Sequence, residues 1–297
     1  MSRPQPASLL DTAAIRRNHD RASATYDEHG VLAARLREAM LARLDWIAFV
    51  PDVVLDLGCG TGRGAEALAA RWPEARVIAL DAAPGMLAVA RQRPVAARIE
   101  WLQADAEVIP LPDATVDVVF SNLLLPFCGD IDAVFAEVAR ILKPRGLFSF
   151  TTFGPDTLAE LRAAWRAADP ADRHVHPFTD MHDLGDGLVR AGFAEPVLDV
   201  SRYTLTYPDV TALMRDLKAI GSQNAGIGRP RGLTGRSRMN SVWDAYEPFR
   251  DGGVLPANYE AIFGHAWGAL DRGGHAGQGG EFSFPVSDIG HRGVRSR

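Results

Sequence analysis

The chain has 297 residues, 47% of them apolar and 23% charged, which fits a globular protein with a full core and excludes overall disorder. A net charge of −5 argues against bulk attraction to nucleic acid, and two cysteines, Cys59 and Cys128, exclude a disulfide framework. No apolar run approaches the ~20 residues of a membrane span, and Met1 to Asp20 holds no block for a secretory signal, so a cytoplasmic protein is expected.

Val31 to Phe49 carries apolar residues at helical spacing. A β-rich run, Val53–Leu57, passes at once into Gly58-Cys59-Gly60-Thr61-Gly62, and Ala65–Trp72 then reads as a helix ended by Pro73. The rhythm repeats: strand Arg76–Leu80, helix Pro84–Arg91, strands Arg98–Leu102 and Val116–Phe120, helix Ile131–Leu142, strand Gly146–Thr152. Strands alternating with helices predict a parallel sheet covered on both faces. Beyond Thr152 the pattern predicts helices Asp156–Ala168, Met181–Ala191, Asp209–Ile220 and Ser237–Phe249, and strands Pro196–Tyr207 and Tyr259–Trp267. From Ala269 to Arg297 the composition collapses to Gly, Arg, His and Ser, which predicts a disordered tail.

The glycine-rich turn is the most informative segment. Glycines after a strand let the backbone turn sharply and approach a ligand, and the following helix presents free N–H groups. Two ligands use such a turn: a dinucleotide through its pyrophosphate, or S-adenosylmethionine through its amino acid end. Asp81, closing the second strand, places an acid where ribose hydroxyls bind in either case. Asp105-Ala106, after the third strand, separates the two. A carboxylate there takes the adenine amine, which disfavours a nicotinamide-dependent oxidoreductase.

Leu55–Gly62, Asp81, Gln103-Ala104-Asp105-Ala106, Ile109–Asp113 with Val116–Ser121, and Leu142–Gly146 together resemble the class I S-adenosylmethionine-dependent methyltransferases. The resemblance implies an α/β, Rossmann-like fold: a seven-stranded, mostly parallel sheet with helices on both faces and an antiparallel last strand. It implies a domain over 44–268 with helical insertions near 155–180 and 208–250, preceded by lid helices over 1–43. For the cofactor it implies Asp56, Gly58, Cys59, Gly60, Gly62, Asp81, Ala82, Met86, Asp105, Ala106 and Asn122.

The flanks narrow the resemblance. Asp20–Asp27, Phe150–Leu158 with Glu160-Leu161-Arg162, His174–Gly185 and Tyr207-Pro208-Asp209 are similar to the malonyl-acyl-carrier-protein O-methyltransferase (BioC-type) family of biotin synthesis. His19 departs from the family pattern, which has Phe there. A related arginine hydroxylase of respiratory complex I assembly shares the second half, and a non-catalytic adaptor is the remaining alternative. The family activity implies a methyl ester on the free carboxylate of malonyl-carrier protein, with S-adenosylhomocysteine as product. A carboxylate is already ionised at neutral pH, so neither a general base nor a metal is expected.

Positioning then carries the catalysis. Tyr26 is expected to donate a phenolic hydrogen bond, Phe127 to cover the methyl group, Arg162 to orient a malonyl oxygen and His176 to donate to the substrate. His174, His176, His182 and Asp183 match no compact metal motif. Cys59 reads as a small turn residue and Cys128 as a buried thiol. Finally, Arg215, Lys218, Arg229, Arg231, Arg236 and Arg238 stand against Asp216 alone, a basic stretch suited to an acidic carrier protein.

Overall fold

The structure, a computed structural model, describes residues 10–269 apart from 172, 230, 231 and 233. The tail expected over 269–297 lies outside the described residues from 270 onward, as does Arg231 of the basic stretch.

Seven strands form one sheet: β1 (Val53–Leu57), β2 (Arg76–Asp81), β3 (Ile99–Gln103), β4 (Val116–Asn122), β5 (Leu142–Phe153), β6 (Ala194–Tyr207) and β7 (Leu255–Trp267). Their spatial order is β3-β2-β1-β4-β5-β7-β6. β1 to β5 pair in parallel, while β7 runs antiparallel to both β5 and β6, as the resemblance implied. The chain order reverses between β1 and β4, and ligands bind at the carboxyl ends of strands at such a switch point.

Helices α1 (Thr12–Ala22), α2 (Tyr26–His29) and α3 (Val31–Arg43) precede the sheet. The crossovers use α4 (Arg63–Arg71), α5 (Pro84–Ala90) and α6 (Ile131–Ile141), and α7 (Ala159–Ala168), α8 (Met181–Arg190), α9 (Val210–Ala219) and α10 (Arg236–Tyr246) surround the last two strands. Among the described residues no helix is long and apolar enough to cross a membrane.

The central strands show why their sequences barely alternate. In β4, Val118 and Phe120 enter the core with Leu36 and Met40 of α3, while Val119 enters the opposite core with Phe135 of α6 and Phe148. β6, covered on one face only, alternates in burial along its length.

Boundaries move where a local turn wins over periodicity. α7 starts at Ala159, not Asp156, because Leu158 adopts φ 54 and donates its N–H to Asn258 O. The helix predicted over Val31–Phe49 ends at Arg43 and closes in a 3-10 turn, Leu44–Trp46. β7 begins at Leu255 instead of Tyr259, because its extra residues pair with the far end of β6 up to Tyr207.

Candidate active site

β1 delivers the chain into the glycine turn at Leu57. Gly58 has φ +76, and a Cβ there would lie 2.9 Å from the Leu124 side chain, so only glycine lets the turn pass. The N–H groups of Gly58 and Cys59 donate to Leu80 O, which fastens the turn to β2. Asp81, at the end of β2, uses one carboxylate oxygen to accept the Gly60 N–H at 2.8 Å and the other to accept the Ala83 N–H at 2.8 Å. Each oxygen keeps a further lone pair for a ligand. Burial pushes the Asp81 carboxyl up from its ordinary range, against the pull of these N–H groups and of His19.

A cavity of about 490 Å³ opens in front of this turn. Of the residues assigned to the cofactor, Gly58, Gly60, Asp81, Ala82, Met86, Asp105, Ala106 and Asn122 line it. Asp56, Cys59 and Gly62 do not; they stand behind the turn. Asp56 is 2% exposed and accepts the Ala65 N–H at the start of α4, while its Oδ2 has no partner. Burial pushes this carboxyl up to about 7. Gly62 has φ +82 and abuts Trp101, which locks the turn to β3 without facing the cavity.

The cavity suits S-adenosylmethionine. Asp81 offers free lone pairs for a ribose diol. Asp105 holds the Glu107 N–H on Oδ1, which leaves Oδ2 for an exocyclic amine. Helix α1 covers the open side through Thr12, Ile15, Arg16 and His19.

A second cavity, about 330 Å³ and mainly apolar, adjoins the first. Both share His19, Tyr26, Leu123 and Phe127 as wall. Its far side is closed by α2 and α9: His29 Nδ1 and Asp216 Oδ1 lie 2.8 Å apart, Tyr207 donates its hydroxyl to Asp216 Oδ2 at 2.7 Å, and Thr25 donates its own to Ala219 O at 2.8 Å.

Comparison with known proteins decides what two meeting cavities mean. Residues 55–150 match the family described as a methyltransferase domain. A malonyl-[acyl-carrier protein] O-methyltransferase of a Methylovorus species is 50% identical over 272 residues, covering 88% of this chain and 90% of the relative. The protein of that name from Nitrosospira multiformis is 46% identical over 276 residues, covering 87% and 90%. The chain belongs to the malonyl-[acyl-carrier protein] O-methyltransferase family. Its fold is shared with the YcgJ protein of Bacillus subtilis, which is 18% identical with a TM-score of 0.56, over 78% of this chain and 99% of that one.

The two cavities meet at the four residues they share. Tyr26 and Phe127, expected from the sequence to donate a hydrogen bond and to cover the methyl group, are two of the four. Burial, with Asp81 nearby, pushes the Tyr26 hydroxyl up to about 12, so it stays protonated. Leu123 holds φ 58, a strained value for a branched residue, stabilised by its N–H donating to Thr151. Asn122 donates to Ala33 O at 3.0 Å and accepts from the Thr151 hydroxyl at 2.8 Å, so it braces the junction against α3.

His19 is the residue that sequence reasoning treated only as a departure from pattern. Its Nδ1 lies 3.0 Å from Ile15 O, which only accepts, so Nδ1 carries the proton and Nε2 keeps a lone pair. Its ring meets Phe127 edge to face at 4.7 Å. Burial lowers its pKa, although Asp81 opposes this. Half-buried His19 shares a helical face with buried Ile15 and Ala22, the spacing that could have revealed it.

His176 lines the second cavity, and its Nε2 is buried without a partner among the described residues. Burial, then the charge of Arg162, lowers its pKa and keeps it neutral. Arg162 itself is not on that wall. Its guanidinium donates at 2.8 Å to both Pro155 O and Thr157 O, holding the turn between β5 and α7. Cys59 and Cys128 are both pushed up by burial and so remain thiols.

Proposed function

We propose that this methyltransferase transfers the methyl group of S-adenosylmethionine to the free carboxylate of a malonyl group on acyl-carrier protein, an early step of biotin synthesis in the cytoplasm. The observation that carries the reading is the junction of a cavity lined by Asp81 and Asp105 with a mainly apolar cavity at His19, Tyr26, Leu123 and Phe127, in a chain whose relatives bear that name. S-adenosylmethionine supplies, when bound, an electrophilic methyl on a cationic sulfur.

The chain's own residues then position the acceptor and exclude water. A malonyl carboxylate arrives ionised, since its pKa lies near ~3–4, so no residue has to remove a proton. Opposite charges are neutralised on the way to product, and low-polarity walls such as Leu123, Phe127, Leu158 and Leu161 favour that neutralisation. Tyr26 donates to one acceptor oxygen and His176 Nε2 to another, which would relieve a buried nitrogen that otherwise costs about 1–3 kcal/mol. Arg162 positions the turn beneath α7 and shapes the cavity indirectly.

The acidic carrier docks, on this reading, on the basic stretch, but not through all its cations. Arg229 is bound to Asp11 at 3.0 Å and Arg238 to Asp169 at 2.9 Å. Arg215, Lys218 and Arg236 are exposed without a partner among the described residues and are left to steer the carrier. Charge reversal at these three is expected to raise KM for the carrier-bound substrate while leaving S-adenosylmethionine affinity unchanged.

The test is incubation with methyl-labelled S-adenosylmethionine and malonyl-carrier protein. Label in a base-labile ester supports the reading. Label retained in the donor, with an oxygen gained on an arginine of a target protein, would support the hydroxylase alternative, which the relatives' names do not favour.

A further inference from the structure

The acceptor cavity has a second neighbour on the side away from the cofactor. A cleft of about 430 Å³ lies beyond it, and the two share Trp165, His174, Val175 and Phe178 as wall. That wall is stiff. Trp165 and His174 stack with ring centres 3.7 Å apart, and Asp169 holds His174 at 2.9 Å and Arg238 at 2.9 Å. On the cleft side stand three guanidinium groups, Arg162, Arg166 and Arg173.

The Arg162 guanidinium holds the turn between β5 and α7, whereas the charges of Arg166 and Arg173 have no structural use among the described residues. Arg162 and Arg166 are four residues apart on α7, so they share a helix face and repel, and Arg166 lowers the pKa of Arg162 after burial has done so. Arg166 and Arg173 are exposed, and neither side chain has a hydrogen bond or ion pair among the described residues. No carboxylate lines the cleft among the described residues. Among the described residues, the acids flanking this stretch are committed elsewhere, Asp169 to His174 and Arg238, and Asp156 to Arg202 at 3.4 Å, while Asp172 lies outside the described residues. Like charges gathered on one concave face, with no acid among its described lining residues, are arranged for an anion from outside.

Three compartments therefore follow one another: a donor cavity, an apolar chamber and a cationic cleft. A ligand matching that series has a reacting group at one end, a largely uncharged arm and an anion at the other. We propose that Arg166 and Arg173, with Arg162 behind them, bind the phosphate that joins the pantetheine arm to its carrier. This proposal rests on the reading of the acceptor as a carrier-bound malonyl group. It places the phosphate on α7 and the loop before α8, while the carrier's acidic surface meets Arg215, Lys218 and Arg236 nearby.

Pantetheine and 4′-phosphopantetheine differ only by the phosphate. Calorimetry of both with the full chain, saturated with S-adenosylhomocysteine, isolates its contribution. The phosphorylated form should bind at least ~10-fold tighter, as charge-assisted contacts to two arginines imply. The double variant Arg166→Glu, Arg173→Glu should erase that advantage while keeping S-adenosylhomocysteine affinity, which shows that it is folded. Arg215→Glu with Arg236→Glu should leave the advantage intact. Equal or absent binding of the two compounds by the wild type overturns the proposal, as does an advantage that survives the double reversal at Arg166 and Arg173. The malonyl thioesters of the same compounds separate the two readings. A phosphate advantage without methyl transfer to either removes the acceptor assignment and keeps the phosphate site, whereas methyl transfer without a phosphate advantage does the reverse.

Discussion

The carboxylate of Asp27, on α2, accepts the hydroxyl of Thr61 in the glycine-rich turn at 2.5 Å. Its other oxygen accepts from Arg63 at 3.0 Å and from Arg93 at 2.6 Å, and Arg93 also donates to Thr61 O at 2.5 Å. One side chain thus latches the N-terminal helices to the turn that faces the cofactor. Burial alone would raise the Asp27 pKa, but the hydrogen bonds from Thr61 and Arg93 outweigh it and hold the carboxyl low. Asp27→Asn removes the charge and leaves an amide facing donors. The latch is a third exposed, so its loss is set at about 1 kcal/mol, or roughly fivefold to tenfold in S-adenosylmethionine affinity, with most of the change in the dissociation rate. Stopped-flow measurement of that rate checks it, and an unchanged rate would remove the latch.

Asp81 is the more sensitive acid. Both of its oxygens accept backbone N–H groups, from Gly60 and Ala83. In Asp81→Asn one of those N–H groups meets an NH₂ donor, leaving a buried group unpaired at a cost of about 1–3 kcal/mol. The variant is expected to bind S-adenosylmethionine about 10-fold to 100-fold more weakly by calorimetry. Glutamate would not rescue it, because the extra methylene displaces both acceptors from the turn.

The rate should depend little on pH across neutrality. The malonyl carboxylate is ionised well below pH 6, Tyr26 holds its proton up to about 12, and burial keeps His19 neutral by lowering its pKa. The expected kcat profile is flat from about pH 7 to about 9.5 and falls only on the acid side, where His19 gains a proton. Tyr26→Phe keeps the ring that packs at the junction and loses only the hydroxyl. Its kcat should drop about 10-fold to 100-fold, with the flat profile retained. A basic limb near pH 8 in the wild-type profile would instead mean that a residue removes a proton during turnover.

What could be read from the sequence was local. Val53-Val54-Leu55 running into Gly58 announces a buried strand and a tight turn, because both depend on a few consecutive residues. The place of Asp81 and Asp105 beside the cavity was legible since the first closes β2 and the second lies two residues past β3, both at the carboxyl edge of the sheet. His19 was not, because its role depends on α1 folding across that edge and meeting Phe127. Arg162 and Asp56 show the opposite problem. Their residue types suit a ligand, yet the carbonyls of Pro155 and Thr157 take the guanidinium, and α4 closes over the carboxyl. Arg229 looked like free surface charge until the fold placed Asp11 beside it.

Asp56 also makes a prediction about stability alone. It is 2% exposed, one oxygen has no partner, and burial raises its pKa to about 7, with the Ala65 N–H and Arg37 opposing. In the unfolded chain the same carboxyl titrates near ~3.9. Between those values the folded state holds a proton that the unfolded state has released, so stability falls as pH rises from about 4 to about 7 and then levels off. Gly64 packs its Cα face against this carboxyl, since a Cβ there would lie 2.6 Å from Oδ2, so no larger rearrangement relieves the charge. Asp56→Asn keeps an oxygen for the Ala65 N–H and cannot ionise. The variant should therefore gain stability relative to the wild type as pH rises, by roughly 1–4 kcal/mol between pH 4 and pH 8. Urea unfolding of both proteins at those two pH values measures it. A difference that stays constant, or shrinks, between pH 4 and pH 8 would show that Asp56 is ionised in the fold and paired, most simply with Arg37.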